Sequence, residues 1–168
     1  LCRQSDLLEA AAKQNKPIHL KKMQQLAPWV MEDVVKKLEY FGNEQIMLCD
    51  RGTMFGYGTL VNDMRGLVIM ANTGYPVTID CTHSVQHPGS AQGLTAGNRD
   101  MAQVIASAAV AVGIAGVFAE VHEDPDKSPS DAANMIKLNN LEYILERLVE
   151  LDKIAKKYPM KIKQYNIT

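Results

Sequence analysis

Two periodicities partition this chain. Short runs at Ile18-His19-Leu20-Lys21-Lys22, Ile46-Met47-Leu48-Cys49, Val77-Thr78-Ile79-Asp80-Cys81 and Gly116-Val117-Phe118-Ala119-Glu120-Val121 have the length and apolar content of strands. Between them lie segments with helical signals. Ser5-Asp6-Leu7-Leu8-Glu9-Ala10-Ala11-Ala12-Lys13 joins an N-cap candidate to early acids and strong helix formers, which predicts a helix ending near Asn15, before Pro17. Pro28 opens a second helix, through Val34, Val35 and Leu38 to a Gly42-Asn43 stop. A third is expected around Val61 to Met70, between the loop Thr53 to Gly58 and the turn Gly74-Tyr75-Pro76. After a long loop, Ser84 to Asn98, an Ala-rich helix runs from about Arg99 to Val112 and stops at Gly113. In the last helix, Leu138 to Lys157, the residues Leu141, Ile144, Leu145, Leu148, Leu151 and Ile154 recur at the spacing of one buried stripe.

This order is a helix followed by four strand-loop-helix units with loops too long for hairpins. Strands apolar on both faces that alternate with helices predict an α/β fold whose parallel sheet is covered by helices, either an open doubly wound sheet or part of a (β/α)8 barrel. Polar residues decide between them. Lys21-Lys22, Asp50-Arg51, Asp80 with His83, and Glu120 with His122 fall at or just after four successive strand ends. A barrel gathers such ends at one mouth, whereas an open sheet collects them near one crevice. The expectation is the C-terminal half of a (β/α)8 TIM barrel over residues 1–157, its other strands upstream, and a tail over 158–168.

Composition narrows the partners. The net charge of −1 and 46% hydrophobic residues suit a globular unit with a core of its own. Basic residues are scattered among acids, so the charge pattern supplies no case for nucleic acid or anionic membranes, and no run is long enough for a membrane span. Cys2, Cys49 and Cys81 lack metal or disulfide spacing and read as small buried hydrophobes.

Two chemical groups emerge at the predicted mouth. Lys21 and Arg51, with Lys22 as a further candidate, could hold a phosphate or carboxylate. Their plain alternatives are solvated lysines and an Arg51-Asp50 pair. His83, Glu120 and Asp131 supply one nitrogen and two carboxylates, a set suited to Zn, Fe, Mn or Co. Glu120 carries the argument, since a carboxylate within an apolar run needs a cation or a hydrogen-bonding partner; a salt bridge to Arg or His would serve equally. His19, His87 and His122 read as ordinary surface or supporting histidines. No nucleophile elbow, Walker loop or dinucleotide fingerprint is present.

Five motifs in order then resemble one family. Leu1-Cys2-Arg3-Gln4; Lys21-Lys22-x-Gln24 with Ala27-Pro28; Cys49-Asp50-Arg51-Gly52 with Phe55-Gly56-Tyr57 and Asp63-Met64; Asp80-x-Thr82-His83-Ser84-Val85-Gln86; and Glu120-x-His122-x-Asp124-Pro125 with Ser130-Asp131 are similar to the 3-deoxy-D-manno-octulosonate 8-phosphate synthases. The likeness runs to about Lys157. Phe55-Gly56-Tyr57 and Thr82-His83-Ser84-x-Gln86 separate it from the sister heptulosonate 7-phosphate synthases.

The resemblance implies a cytoplasmic transferase, commonly a homotetramer, serving lipopolysaccharide or plant cell-wall synthesis. It would condense phosphoenolpyruvate with arabinose 5-phosphate and water. By the same resemblance Lys21, Arg51, His83 and Asp131 are catalytic, and Lys21, Gln24, Arg51, Phe55 and Gln86 bind substrate. His83, Glu120 and Asp131 would hold a divalent metal as in the metal-dependent branch. The family's fourth metal ligand, a Cys, would lie upstream with further substrate-binding segments, so these residues alone are expected to be inactive. Two other readings stand beside this one: a heptulosonate synthase using erythrose 4-phosphate, and an inactive half-barrel acting as a structural or interaction module.

Overall fold

The computed structural model describes residues 2–54, 58–87 and 96–162. Its first unit is helix α1 (Ser5–Ala12), strand β1 (Ile18–Lys21), a 3-10 turn (Pro28–Val30) and helix α2 (Met31–Tyr40). Strand β2 (Ile46–Asp50), helix α3 (Met64–Ala71) and strand β3 (Val77–Asp80) follow. A short hairpin, β4 (Gln86–His87) with β5 (Ala96–Gly97), precedes helix α4 (Arg99–Val112). Strand β6 (Gly116–Phe118) leads to β7 (Val121–His122), β8 (Ile136–Lys137) and helix α5 (Leu138–Lys157).

Strands β1, β2, β3 and β6 form one parallel sheet in that order. Each new strand is laid beside its predecessor, with register pairs Lys21↔Cys49, Cys49↔Thr78 and Asp80↔Phe118. Strand pleating then sorts the side chains. Leu20, Ile46, Leu48, Val77 and Ile79 join a core with Leu8, Met31, Val34, Leu38, Leu67 and Met70 from α1, α2 and α3. Full burial of a large apolar side chain such as Leu48 or Ile79 contributes about 1.5–3 kcal/mol. Alternation puts His19, Lys21, Met47, Cys49, Thr78, Asp80 and Phe118 on the opposite face. A second cluster packs α4 against α5 and β8 through Ala102, Ala106, Val110, Ile136, Ile144 and Leu148.

Local chemistry accounts for most boundaries. The Asp63 carboxylate caps α3 by accepting the Arg65 N–H at 3.0 Å, so this helix starts later than the apolar pattern suggests. Gly113, in the left-handed region at φ 95°, ends α4 where anticipated. The fourth strand differs from its expected Gly116-to-Val121 span. Its ladder ends at Phe118 because the Glu120 N–H goes to the Thr82 hydroxyl at 3.1 Å, and the chain then pairs β7 with β8. Glu120 therefore stands between two strands, not within one. The α5 stripe is also narrower than its spacing implied: Ile144 and Leu148 are buried, while Leu145 and Ile154 face outward.

Lys22 overturns its reading as a solvated or anion-binding lysine. It is 2% exposed, and its ammonium lies 3.2 Å from the Asp50 carboxylate. It also donates to the carbonyls of Met23, Leu26 and Gly52 and to the Thr53 hydroxyl. Asp50 accepts further bonds from the Gly52 N–H and the Asn62 amide. This ion pair is a post between β2 and the segment after β1.

Removing one partner of such a buried pair strands the other charge. Lys22→Ala should cost about 3–5 kcal/mol, read as a lowered urea midpoint. Lys36→Ala, in the exposed i,i+4 pair with Glu32, should leave that midpoint unchanged.

The cysteines are buried free thiols, as expected. Desolvation pushes Cys49 up to about 11 and Cys81 up to about 12. Iodoacetamide at pH 8 should therefore spare both in the native protein and label both in urea, scored by peptide mass mapping.

Candidate active site

The site lies at the C-terminal ends of β1, β2, β3 and β6. Lys21 is the last residue of β1, Arg51 follows β2, Asp80 ends β3, and Glu120 lies two residues beyond β6. Parallel pairing brings these ends to one edge of the sheet.

Asp80 is the hub. It is 0% exposed, and its Oδ2 accepts from Lys21 Nζ and lies against His83 Nδ1, each at 2.6 Å. Its Oδ1 accepts the His83 N–H at 2.9 Å and the Thr82 hydroxyl at 3.1 Å. Burial pushes this carboxyl up, but hydrogen bonds from His83 and Lys21 outweigh it and hold the group at about 2. Phe118 completes the hub. Lys21 Nζ sits 3.8 Å from its ring centroid, and the His83 ring lies along it at 6.1 Å.

His83 presents its other nitrogen to two carboxylates. Nε2 is 3.3 Å from Glu120 Oε1 and 4.0 Å from Asp131 Oδ2. One ligand atom from each residue lies within 4.8 Å of the others. Glu120 Oε2 is buried with no hydrogen-bond partner, and Asp131 adopts φ 52°, a left-handed conformation that Asp tolerates at a cost. An orphaned carboxylate oxygen, a strained ligand loop and an imidazole oriented by a carboxylate fit a divalent cation. The predicted trio is therefore assembled.

The cationic half is assembled more selectively. Arg51 does not pair with Asp50, whose oxygens are committed to Lys22, Gly52 and Asn62. Instead its guanidinium donates to the Gln86 side-chain Oε1 at 2.5 Å and to the His83 backbone carbonyl at 3.4 Å. Its Nε is buried without a partner, an available donor for an anion. Gln86 continues the bridge, its Nε2 donating to Asp131 Oδ1 at 2.6 Å. Gln24 is half-buried, and its carbonyl accepts the Met54 N–H at 3.1 Å, tying its segment to the loop after β2. Phe55 lies outside the described residues.

Asp80, Thr82, Phe118 and Arg99 take roles that the sequence pattern does not signal. Arg99 donates to Asp126 and to the Ala132 carbonyl, both at 2.7 Å, and so anchors the loop that presents Asp131. The β4–β5 hairpin forms within the stretch that the sequence predicts as a long loop. A Cβ at Gly97 would fall 1.5 Å from Asn134 Oδ1 and 2.8 Å from the Val85 carbonyl, so only glycine lets the hairpin seat. Of the remaining histidines, His19 Nε2 meets the Thr78 hydroxyl at 2.8 Å, and His122 Nδ1 accepts the Asp124 N–H at 2.9 Å. His87 is exposed on the hairpin. Among the described residues no helix is long and apolar enough to cross a membrane.

Known proteins carry this sequence pattern. A 2-dehydro-3-deoxyphosphooctonate aldolase of Bartonella quintana (strain Toulouse) is 53% identical over 157 residues, covering 94% of this chain and 56% of that protein. Its namesake in Rickettsia bellii (strain OSU 85-389) is 56% identical over 156 residues, 93% of this chain and 57% of the relative. That of Rhizobium meliloti (strain 1021) is 54% identical over 156 residues, with 93% and 56% covered. The chain thus spans about half the length of the curated relatives it matches. The model of the DAHP synthetase I family matches residues 1–157, and with it the chain belongs to that family.

Proposed function

We propose that these residues serve the condensation of phosphoenolpyruvate with arabinose 5-phosphate and water to give 3-deoxy-D-manno-octulosonate 8-phosphate and phosphate. The observation that carries this reading is the bridging of an anion seat to a cation seat by Gln86, which holds Arg51 at one end and Asp131 at the other. The shared name of the relatives, 2-dehydro-3-deoxyphosphooctonate aldolase, supports the choice of products. We further read the sheet as an arc of a (β/α)8 barrel over residues 1–157, because its strands lie in sequential order with their polar ends together.

In this reading Lys21 and the Arg51 guanidinium bind the phosphate of phosphoenolpyruvate and favour its departure. The enol C3 attacks the aldehyde carbon of the sugar, water adds at C2, and the bond from C2 to the phosphate oxygen breaks. Gln24, Gln86 and Phe55 line the substrate pocket. His83, Glu120 and Asp131 would hold a Zn, Fe, Mn or Co ion, which when bound supplies Lewis acidity to orient the aldehyde and a water. Asp80 keeps His83 turned so that Nε2 faces Glu120 and Asp131.

A direct test transplants residues 1–157 into the matching half of the Bartonella quintana relative. The chimera should consume phosphoenolpyruvate with arabinose 5-phosphate and reject erythrose 4-phosphate. A preference for erythrose 4-phosphate would make it a heptulosonate synthase. In the same chimera Arg51→Ala should lower turnover about 10²–10³-fold, the scale of losing one charge-stabilising donor, with an unchanged melting temperature. Chelator should abolish activity and added Mn or Co restore it; full turnover in chelator would refute the metal assignment.

A further inference from the structure

One carboxylate oxygen serves both halves of the site. Asp80 Oδ2 takes Lys21 Nζ and His83 Nδ1, each at 2.6 Å, inside a wholly buried residue. Lys21 side chain is 34% exposed at the rim, so its ammonium can turn toward an incoming anion. His83 has no such freedom, since its backbone N–H is also fastened to Asp80 at 2.9 Å.

We propose that Asp80 is a positioning residue that couples the two seats, so that an anion bound at Lys21 and a divalent cation bound at His83, Glu120 and Asp131 strengthen each other. This inference deepens the reading above and rests on its assignment of the two seats. The physical basis is competition for one oxygen. When an anion draws Lys21 Nζ away, the negative charge of Asp80 is left to His83 alone, and a more strongly held Nδ1–H makes Nε2 a better cation ligand. When a cation binds at Nε2, the imidazole becomes a stronger donor to Asp80, and Lys21 is held less tightly and is freer to meet the anion. Linkage requires the two effects to be equal in size.

No other described side chain contacts both Lys21 and His83 by hydrogen bond. Phe118 touches both through its ring but carries no charge to share. Gln86 joins Arg51 to Asp131 with a neutral amide, which fixes position without transferring charge.

The test uses Co(II), followed by its absorption, and inorganic phosphate, followed by calorimetry, on the 168-residue protein and two variants. In the unmodified protein saturating phosphate should tighten Co(II) at least about fivefold, with the same factor in reverse. The variants should move the two affinities in opposite directions. Asp80→Asn should weaken Co(II) about 10–100-fold while phosphate, measured without cobalt, binds no more weakly. Lys21→Met should lose phosphate while Co(II) binds as well or better.

Equal weakening of both ligands in Asp80→Asn, unchanged Co(II) affinity in that variant, weaker Co(II) in Lys21→Met, or no reciprocal shift in the unmodified protein would each overturn the coupling. Circular dichroism identifies an unfolded Asp80→Asn, in which case Lys21→Met and the unmodified protein decide. Neither probe contains a sugar or an enol. Failure of the octulosonate assay therefore leaves these outcomes standing, and their failure leaves the substrate reading standing.

Discussion

A buried carboxylate with four donors around it governs the arrangement of this molecule's polar residues. Asp80 ends a central strand, where the backbone can no longer satisfy its neighbours by ladder pairing, and it gathers the Thr82 hydroxyl, the His83 N–H, the His83 ring and Lys21. An ionised group so placed is tolerable only with such company. The requirement works in both directions. Satisfying Asp80 forces the chain after β3 into a tight 3-10 turn, and that turn points Nε2 of His83 at the acids contributed by the following unit. Thr82 extends the hold by accepting the Glu120 N–H, which fixes where the fourth sheet strand gives way.

Arg51, Gln86 and Asp131 form a second bridge with a different physical character. It is carried by a hairpin that covers the strand ends and depends on glycine at position 97 for its close seat on Asn134. The Asp80 bridge lies within the sheet and shares charge, whereas the Gln86 bridge lies above it and shares only hydrogen bonds. The hub orients the imidazole, and the loop anchored by Arg99 carries Asp131 in its left-handed conformation.

Residues whose role is set locally could be read from the sequence. Helix α4 runs from Arg99 to Val112 and α5 from Leu138 to Lys157 because caps, a terminal glycine and helical spacing act over a few neighbouring positions. Parallel strands followed from apolar runs alternating with helices, and His83 and Glu120 from an imidazole and an acid near strand ends, with Asp131 joined to them from the loop that follows. What escaped depends on distant partners. The hairpin strands are two residues each, too short for any period to show. Leu145 and Ile154 satisfy helical spacing yet face outward, because only part of the apolar stripe meets α4. Asp80 stood in view at a strand end, yet nothing local says that its partner is a lysine 59 positions earlier.

Lys21 and Lys22 show how far a period of two can separate adjacent, chemically identical residues. Register places Lys21 opposite Cys49, on the face that carries Thr78 and Asp80 one strand further on, so its ammonium reaches Asp80 and the rim. The next side chain must leave from the other side of the backbone. There Lys22 meets Asp50, which by the same alternation faces away from the row containing Cys49, and three carbonyls close around it. One lysine is thus left with an exchangeable partner, and the other has its donors committed and no access to solvent. A reversal of the register by one residue would bury the rim lysine and expose the structural one. The pairing that builds the sheet is therefore also what assigns each charge its task.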